Sequence, residues 1–307
     1  MGTIIETLDS VTIGQIEAQP LDEMLPKLNE ADRVALENFA ASVPDPLPNN
    51  LAYPVFTFMQ TSMSKIDETH ILRLVDGSIT LEGVIANPGS NAQEANIICL
   101  RNGIQTACSP QATVWSIILN PKTLAFVPYE IQAQSGDWLT FLIVADKEPM
   151  RLFMASIMQW FFVDKRPPLP AHFVQAPSQA RVFPGCDASL ILTENPTVAP
   201  ETLQIPGTQK RGTELYIIFQ TCDPVGDNLV QLVPIVDRSR VINMPGEVWN
   251  VPLRLSEEMT VIPFDTAALG TAQEFQIAVV PIIGETTESL PDWWGWFPFT
   301  PAIYLKD

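Results

Sequence analysis

Two stretches of the chain share one grammar of apolar and polar positions. Val114 to Glu130 and Val248 to Asp265 each open on Val-Trp and alternate apolar residues. A short polar break and a second apolar run follow, and both end Pro-aromatic-acid, as Pro128-Tyr129-Glu130 and Pro263-Phe264-Asp265. Around them Pro110 aligns with Pro245, Trp115 with Trp249, Pro128 with Pro263 and Trp160 with Trp296, a repeat of about 135 residues. The apolar runs are short, rich in β-branched and aromatic residues and bounded by turn signals, which is the pattern of strands rather than helices. Asp76-Gly77 suits a two-residue hairpin, and Asn87-Pro88-Gly89 and Arg101-Asn102-Gly103 mark further turns. The fold class that follows is mainly β: two tandem, duplicated antiparallel β-sandwich domains, jelly-roll-like, preceded by a short helical N-terminal arm.

The expected divisions are an arm over residues 1–50, a first sandwich over 51–164, a Pro-rich linker over 165–178 and a second sandwich over 179–307. Within the arm, Asn29 can cap a helix from about Glu30 to Ser42, with Asp32 favoured by the helix dipole. Leu36, Phe39, Ala40 and Val43 then form one apolar stripe, which needs a partner surface on the first β-domain or on another subunit. Pro167, Pro168, Pro170 and Pro177 give the linker an extended conformation. Pro234, Pro252 and Pro281 interrupt apolar runs of the second copy, where a residue without an N–H is expected at an edge or bulge.

Charge narrows the partners. The 307-residue chain carries a formal net charge of −18, with −7 in residues 1–50, −2 in 51–180 and −9 in 181–307. Such a surface repels phosphate backbones, so no direct nucleic-acid binding is expected. No apolar run approaches the roughly 18 residues of a membrane span, so no membrane insertion is expected. The first twenty residues have no basic start and no continuous apolar stretch, so the chain reads as made in the cytoplasm without a signal peptide.

Reactive chemistry has little to draw on. The four cysteines form no Cys-X-X-Cys pair, and the expectation is buried free thiols, with a Cys99–Cys108 or a Cys186–Cys222 bridge as the alternative. His70 and His172 are the only histidines, too few for a multi-histidine metal site, and both are expected to be exposed and non-catalytic. Glu130 and Asp265 could serve as the carboxylate pair of a glycoside hydrolase, but their equivalent places in the repeat favour a shared structural job. Asp223 with Asp227, or Glu285 with Glu288, could lend oxygens to calcium, although no Asp-X-Asp-X-Asp loop is present. Trp293, Trp294 and Trp296 stand out as a cluster that either packs a domain junction or, exposed, stacks on a glycan or host-surface ligand.

The functional expectation is a non-enzymatic structural subunit that assembles with itself or with other structural proteins, as in a capsid, a protrusion or a decoration of a virion, or another extracellular particle. No cofactor and no metal are expected. The candidate interface residues are Leu36, Phe39 and Val43 in the arm and Trp293, Trp294 and Trp296 near the C-terminus. The alternatives are a carbohydrate-binding or adhesin-type module using the Trp cluster and, behind it, a carboxylate-based hydrolase.

Overall fold

The structure is a computed structural model that describes residues 10–42, 55–59, 70–146, 156–179, 189–197, 207–220, 229–244, 246–255, 258–282, 299–300 and 302–307. The chain divides into two compact units, with the main boundary between Arg166 and Pro167. In the first unit the strands are β1 (Ile13–Glu17), β2 (Gln19–Pro20), β3 (Val55–Met59), β4 (Ile71–Leu72), β5 (Ser78–Asn87), β6 (Gln93–Arg101), β7 (Ile104–Thr106), β8 (Val114–Leu119), β9 (Thr123–Gln132), β10 (Trp138–Asp146) and β11 (Ser156–Val163). In the second they are β12 (Val174–Gln175), β13 (Ser178–Gln179), β14 (Ser189–Thr193), β15 (Thr208–Lys210), β16 (Glu214–Gln220), β17 (Leu229–Val236), β18 (Arg240–Val241), β19 (Leu253–Arg254), β20 (Met259–Asp265), β21 (Glu274–Ile282) and β22 (Ile303–Lys306).

The duplication is complete at the level of topology. In the first unit one sheet runs β1-β8-β6-β10-β11-β4, with β7 also paired to β6, and the other runs β2-β9-β5-β3. The second unit repeats both, as β12-β19-β17-β21-β22-β15 with β18 on β17, and β13-β20-β16-β14. Each strand of the second unit thus carries the number of its counterpart plus eleven. Even the exceptions recur: the pairs are antiparallel save the two edges of the larger sheet, where β1 joins β8 and β4 joins β11 in parallel, as β12 joins β19 and β15 joins β22. Each domain is therefore an antiparallel β-sandwich with short parallel strands closing the edges of its larger sheet.

Two expected divisions are corrected by this register. Residues 1–50 are not a separate arm, because β1 and β2 lie in the sheets of the first sandwich. Residues 165–178 are likewise not wholly linker, since β12 and β13 open the second sandwich in the same way. Strands of two to five residues flanked by Pro20, Pro170 and Pro177 are too short to show a period, which is why the pattern hid them. What is peculiar to the first copy is an insertion: 34 residues separate β2 from β3, against 9 between β13 and β14.

That insertion contains α1 (Leu21–Met24) and α2 (Glu30–Ser42), the second with the bounds its capping signal predicts. Asn29 accepts the Asp32 N–H at 2.9 Å, and Arg33 bridges Glu30 and Glu37 at 2.7 and 2.8 Å along the exposed face. Leu36 is 2% exposed and packs with Met24, Leu28, Val84, Ala86 and Leu124, so this member of the stripe finds its partner on the outer face of the smaller sheet of its own domain. The side chains of Phe39 and Ala40, and Val43 as a whole, lie outside the described residues.

Inside the first sandwich, Ile79, Leu81 and Ile85 of β5 and Val127, Tyr129 and Ile131 of β9 face Ile97, Trp115, Ile117, Phe141 and Ile143 of the larger sheet. Along its central strands that sheet is buried on both faces. Ile98, Leu100, Leu142 and Val144, which alternation turns away from the core, are as inaccessible as their neighbours, and every residue of β17 and β21 is buried. Double burial explains why these segments read as continuous apolar runs. It also corrects the expectation for Pro234, which sits mid-sheet in β17. Its carbonyl accepts from Ile242 N–H on the β18 side, just past the last β17–β18 pair, so the missing donor costs no bond to β21.

β1 is held close by a glycine. Gly14 lies opposite Trp115, and a Cβ there would come within 2.3 Å of the indole ring and 2.8 Å of Ala112 Cβ. Gly14→Ala is expected to push β1 off β8 at a cost of about 1–3 kcal/mol. Hydrogen exchange checks it, as faster exchange of the Ile13–Glu17 amides; unchanged protection would show that the indole gives way instead.

Candidate functional site

Duplication offers a test for function: a feature kept in both copies serves the sandwich, and one found in a single copy is free to serve something else. Trp115 and Trp249 belong to the first kind. They are 8% and 5% exposed, pair with Ile97 and Leu232 respectively, and stand at equivalent places. Trp115 Nε1 donates to Pro128 O at 2.9 Å, while Trp249 packs its ring 5.5 Å from Phe264.

Glu130 and Asp265 are also of this kind. Glu130 faces Thr80 across β5–β9, Asp265 faces Glu214 across β16–β20, and Asp265 accepts the Ala267 N–H at 2.8 Å to cap a turn of 3-10 helix, Thr266–Leu269. Asp265 ends its strand, whereas Glu130 stands two residues before the end of β9, each in the ladder of its own unit. Nearby on β5, burial raises the carboxyl of Glu82 above the ordinary carboxylate range.

The register corrects the fourth landmark of the repeat. Leu139 pairs with Phe161 in β10–β11, and its counterpart Phe275 pairs with Ile303 in β21–β22, so Trp160 corresponds to Ala302 rather than to Trp296. Ile71 opposite Phe162 likewise matches Thr208 opposite Tyr304, which puts His70 in the place of Gly207. The backbone bond is conserved in both, from Phe162 N–H to His70 O at 2.8 Å and from Tyr304 N–H to Gly207 O at 3.0 Å.

His70 and Trp160 are thus additions to the first copy, and they meet. The exposed imidazole stacks on the half-buried indole with centroids 5.9 Å apart and planes 10° from parallel, and it tilts against Phe161 at 5.7 Å. Its Nδ1 lies 3.4 Å from Trp160 O, and the residue takes a positive φ of 58°. On the same edge the guanidinium of Arg166 sits 5.5 Å over the Phe162 ring. An imidazole, an indole and a guanidinium along one sheet edge can stack on a planar or apolar ring face and donate to its hydroxyls.

No protein-family model matches the chain, and no curated protein matches it. Solved structures align with it loosely. One is described as "Structural insight into host cell surface retention of a 1.5-MDa bacterial ice-binding adhesin", at 9% identity and a TM-score of 0.21, over 75% of this chain and 58% of that one. Two others are CBD12 from CALX1.2, at 10% identity, TM-score 0.21, 68% of this chain and 76% of that one, and the calcium-binding domain CBD12 of CALX1.1, at 10%, 0.19, 82% and 100%. Superpositions this loose define no shared fold, and the chain spans little more than half of the adhesin structure.

Other sequence candidates fall elsewhere. Trp293, Trp294 and Trp296, together with Asp223, Asp227, Glu285 and Glu288, lie outside the described residues. His172 is exposed, as expected. Among the described residues no group of three or more His, Cys, Asp or Glu side chains is placed to hold a metal ion. The expectation of free thiols is overturned at one pair: Cys99 on β6 and Cys108 beyond β7 form a disulfide, both fully buried. Their spacing across a predicted turn was the signal, since a hairpin centred on Asn102-Gly103 sets Cys99 opposite Thr106 and so brings Cys108, two residues on, within reach.

Proposed function

We propose that the chain is a non-enzymatic structural subunit of an extracellular or particle-borne assembly, with itself or other structural proteins as partners. The observation that carries the reading is the strand-for-strand repetition of one sandwich, in which the acids and tryptophans common to both copies serve ladders, caps and cores. Short parallel strands close the edges of the larger sheets, which favours contact through chosen surfaces over open-ended strand pairing. The Cys99–Cys108 bridge supports an oxidising location. A capsid, protrusion or decoration subunit of a virion is the finer form of the same proposal.

Size-exclusion chromatography with light scattering tests it. An assembling subunit gives a mass that is a multiple of its 34.0 kDa and rises with concentration, whereas a chain that stays monomeric at high concentration sinks the reading. A binding module is the second reading, and the His70–Trp160 edge favours it. It expects glycan binding that Trp160→Ala abolishes while the circular dichroism spectrum is kept.

A further inference from the structure

The hairpin β6–β7 closes on Asn102-Gly103, and its counterpart β17–β18 turns at Asp237-Arg238, with Ser239 as a third loop residue before Arg240. Both central residues have positive φ in each, 53° and 76° in the first copy and 47° and 53° in the second, as a type I′ turn requires. In both, the first turn residue also reaches back to the start of the neighbouring strand. Asn102 N–H donates to Trp138 O and its Oδ1 accepts from Trp138 N–H at 3.0 Å; Asp237 N–H donates to Glu274 O and its Oδ1 accepts from Gln273 and Glu274 N–H at 2.8 and 3.3 Å.

The second turn is one residue longer and has Arg238 where the first has Gly103, and a further exchange bears on the side-chain bonds. Asn102 Nδ2 donates to Asp137 Oδ1 at 2.6 Å, and the residue in the place of Asp137 in the second copy is Gln273. These two positions therefore carry one carboxylate and one carboxamide in each copy, with their places swapped, and in the second copy Asp237 is met by backbone N–H groups. Asp137 is otherwise committed: its Oδ2 accepts Gln134 N–H at 2.7 Å and lies 3.9 Å from Arg101 Nε.

We propose that Asn102 is a deamidation site that the fold holds closed. Asn102-Gly103 is the single Asn-Gly pair of the chain, and glycine offers the least hindered backbone nitrogen for ring closure. In that reaction Gly103 N adds to Asn102 Cγ, the carboxamide nitrogen leaves as ammonia, and a cyclic imide forms. Water then opens the imide at either carbonyl to give aspartate or isoaspartate, so the net change is water consumed and ammonia released. To reach Gly103 N, Cγ must give up the bonds from Nδ2 to Asp137 and from Trp138 N–H to Oδ1. After conversion the donor is gone, and two carboxylates face each other at hydrogen-bond distance in a turn that tolerates one. Isoaspartate adds a backbone methylene that a two-residue turn cannot house. The hairpin loosens in either case, and the Cys99–Cys108 bridge across its stem limits how far it opens.

The test follows the peptide carrying Asn102 by mass spectrometry while the full chain is held in mildly alkaline buffer, native or in denaturant. Two hydrogen bonds to break predict conversion at least about tenfold slower in the native chain, and Asp137→Ala should bring the native rate toward the denatured one. Equal native and denatured rates would overturn the proposal. Stability gives the second arm, since it does not depend on rates. Asn102→Asp should lower the melting temperature of the first domain, and adding Asp137→Gln, which recreates the second copy's pair, should restore it. An Asn102→Asp chain as stable as the parent would equally refute the proposal.

Discussion

Replacing Trp115 by alanine should cost the first domain about 3–5 kcal/mol, and Trp249→Ala should cost the second a similar amount. Each indole is almost wholly buried at the same point of the same sheet, so the loss combines the transfer of a large ring with the cavity it leaves. Trp115→Ala also strands the Pro128 carbonyl that the indole N–H satisfies, and it removes the ring against which Gly14 brings β1. Denaturant unfolding followed by far-ultraviolet circular dichroism, with each domain assigned by proteolysis of the intermediate, reads the two costs separately. Comparable losses confined to the mutated domain would bear out the equivalence. A Trp249→Ala chain with undiminished stability would show that the second indole does not serve the sandwich as the first does.

These tryptophans also show what the amino-acid pattern conveys. Pro128 and Pro263 are recoverable from spacing alone because they lie within β9 and β20, whose ladders keep the offset, and Trp249 stays opposite Leu232, as Trp115 is opposite Ile97, although it stands on an isolated bridge just before β19. Asp76-Gly77 and Asn102-Gly103 are equally legible, since positive φ at two successive residues leaves few sequences to choose from. Trp160 and Trp296 mislead because the segment before β22 is longer than the one before β11, and a fixed offset slides past the true counterpart, Ala302. The opening strands of both domains stay hidden for a different reason. A strand of two residues has no periodicity, and its place is fixed by a partner more than 75 positions away, as Val174 is by Leu253. The His70–Trp160 pair is of that kind, brought together by β4 and β11 pairing in parallel across 90 residues. The helix over Glu30–Ser42 is local and was readable in place and length, but whether Leu36 of its stripe packs at home or abroad depends on Val84, Ala86 and Leu124, which only the folded chain supplies.

Removing the Cys99–Cys108 bridge should destabilise the first domain by about 2–3 kcal/mol and leave the second untouched. The bridge spans nine positions in sequence, and closing a loop of that size removes about 9 cal/mol/K of entropy from the unfolded chain, or about 2.7 kcal/mol at room temperature. The fold itself does not require it. Cys99 faces Thr106 across the hairpin, as Pro234 faces Ile242 in the second copy, so Pro234 and Met244 occupy the places of the two cysteines there and close an equivalent hairpin without a covalent link. Met244 is itself buried, at 5% exposure, so packing takes over the role of the bridge. The expected result is a Cys99→Ala/Cys108→Ala chain that folds with both transitions present, the first shifted to lower denaturant and the second unmoved. With Cys186 and Cys222 replaced by serine, a thiol reductant has one target left: it should reproduce the shift in the chain that retains Cys99 and Cys108 and do nothing to the one that lacks them. If the reductant shifts both chains alike, or the double-alanine chain unfolds where its parent does, the bridge is not what distinguishes the stability of the two copies.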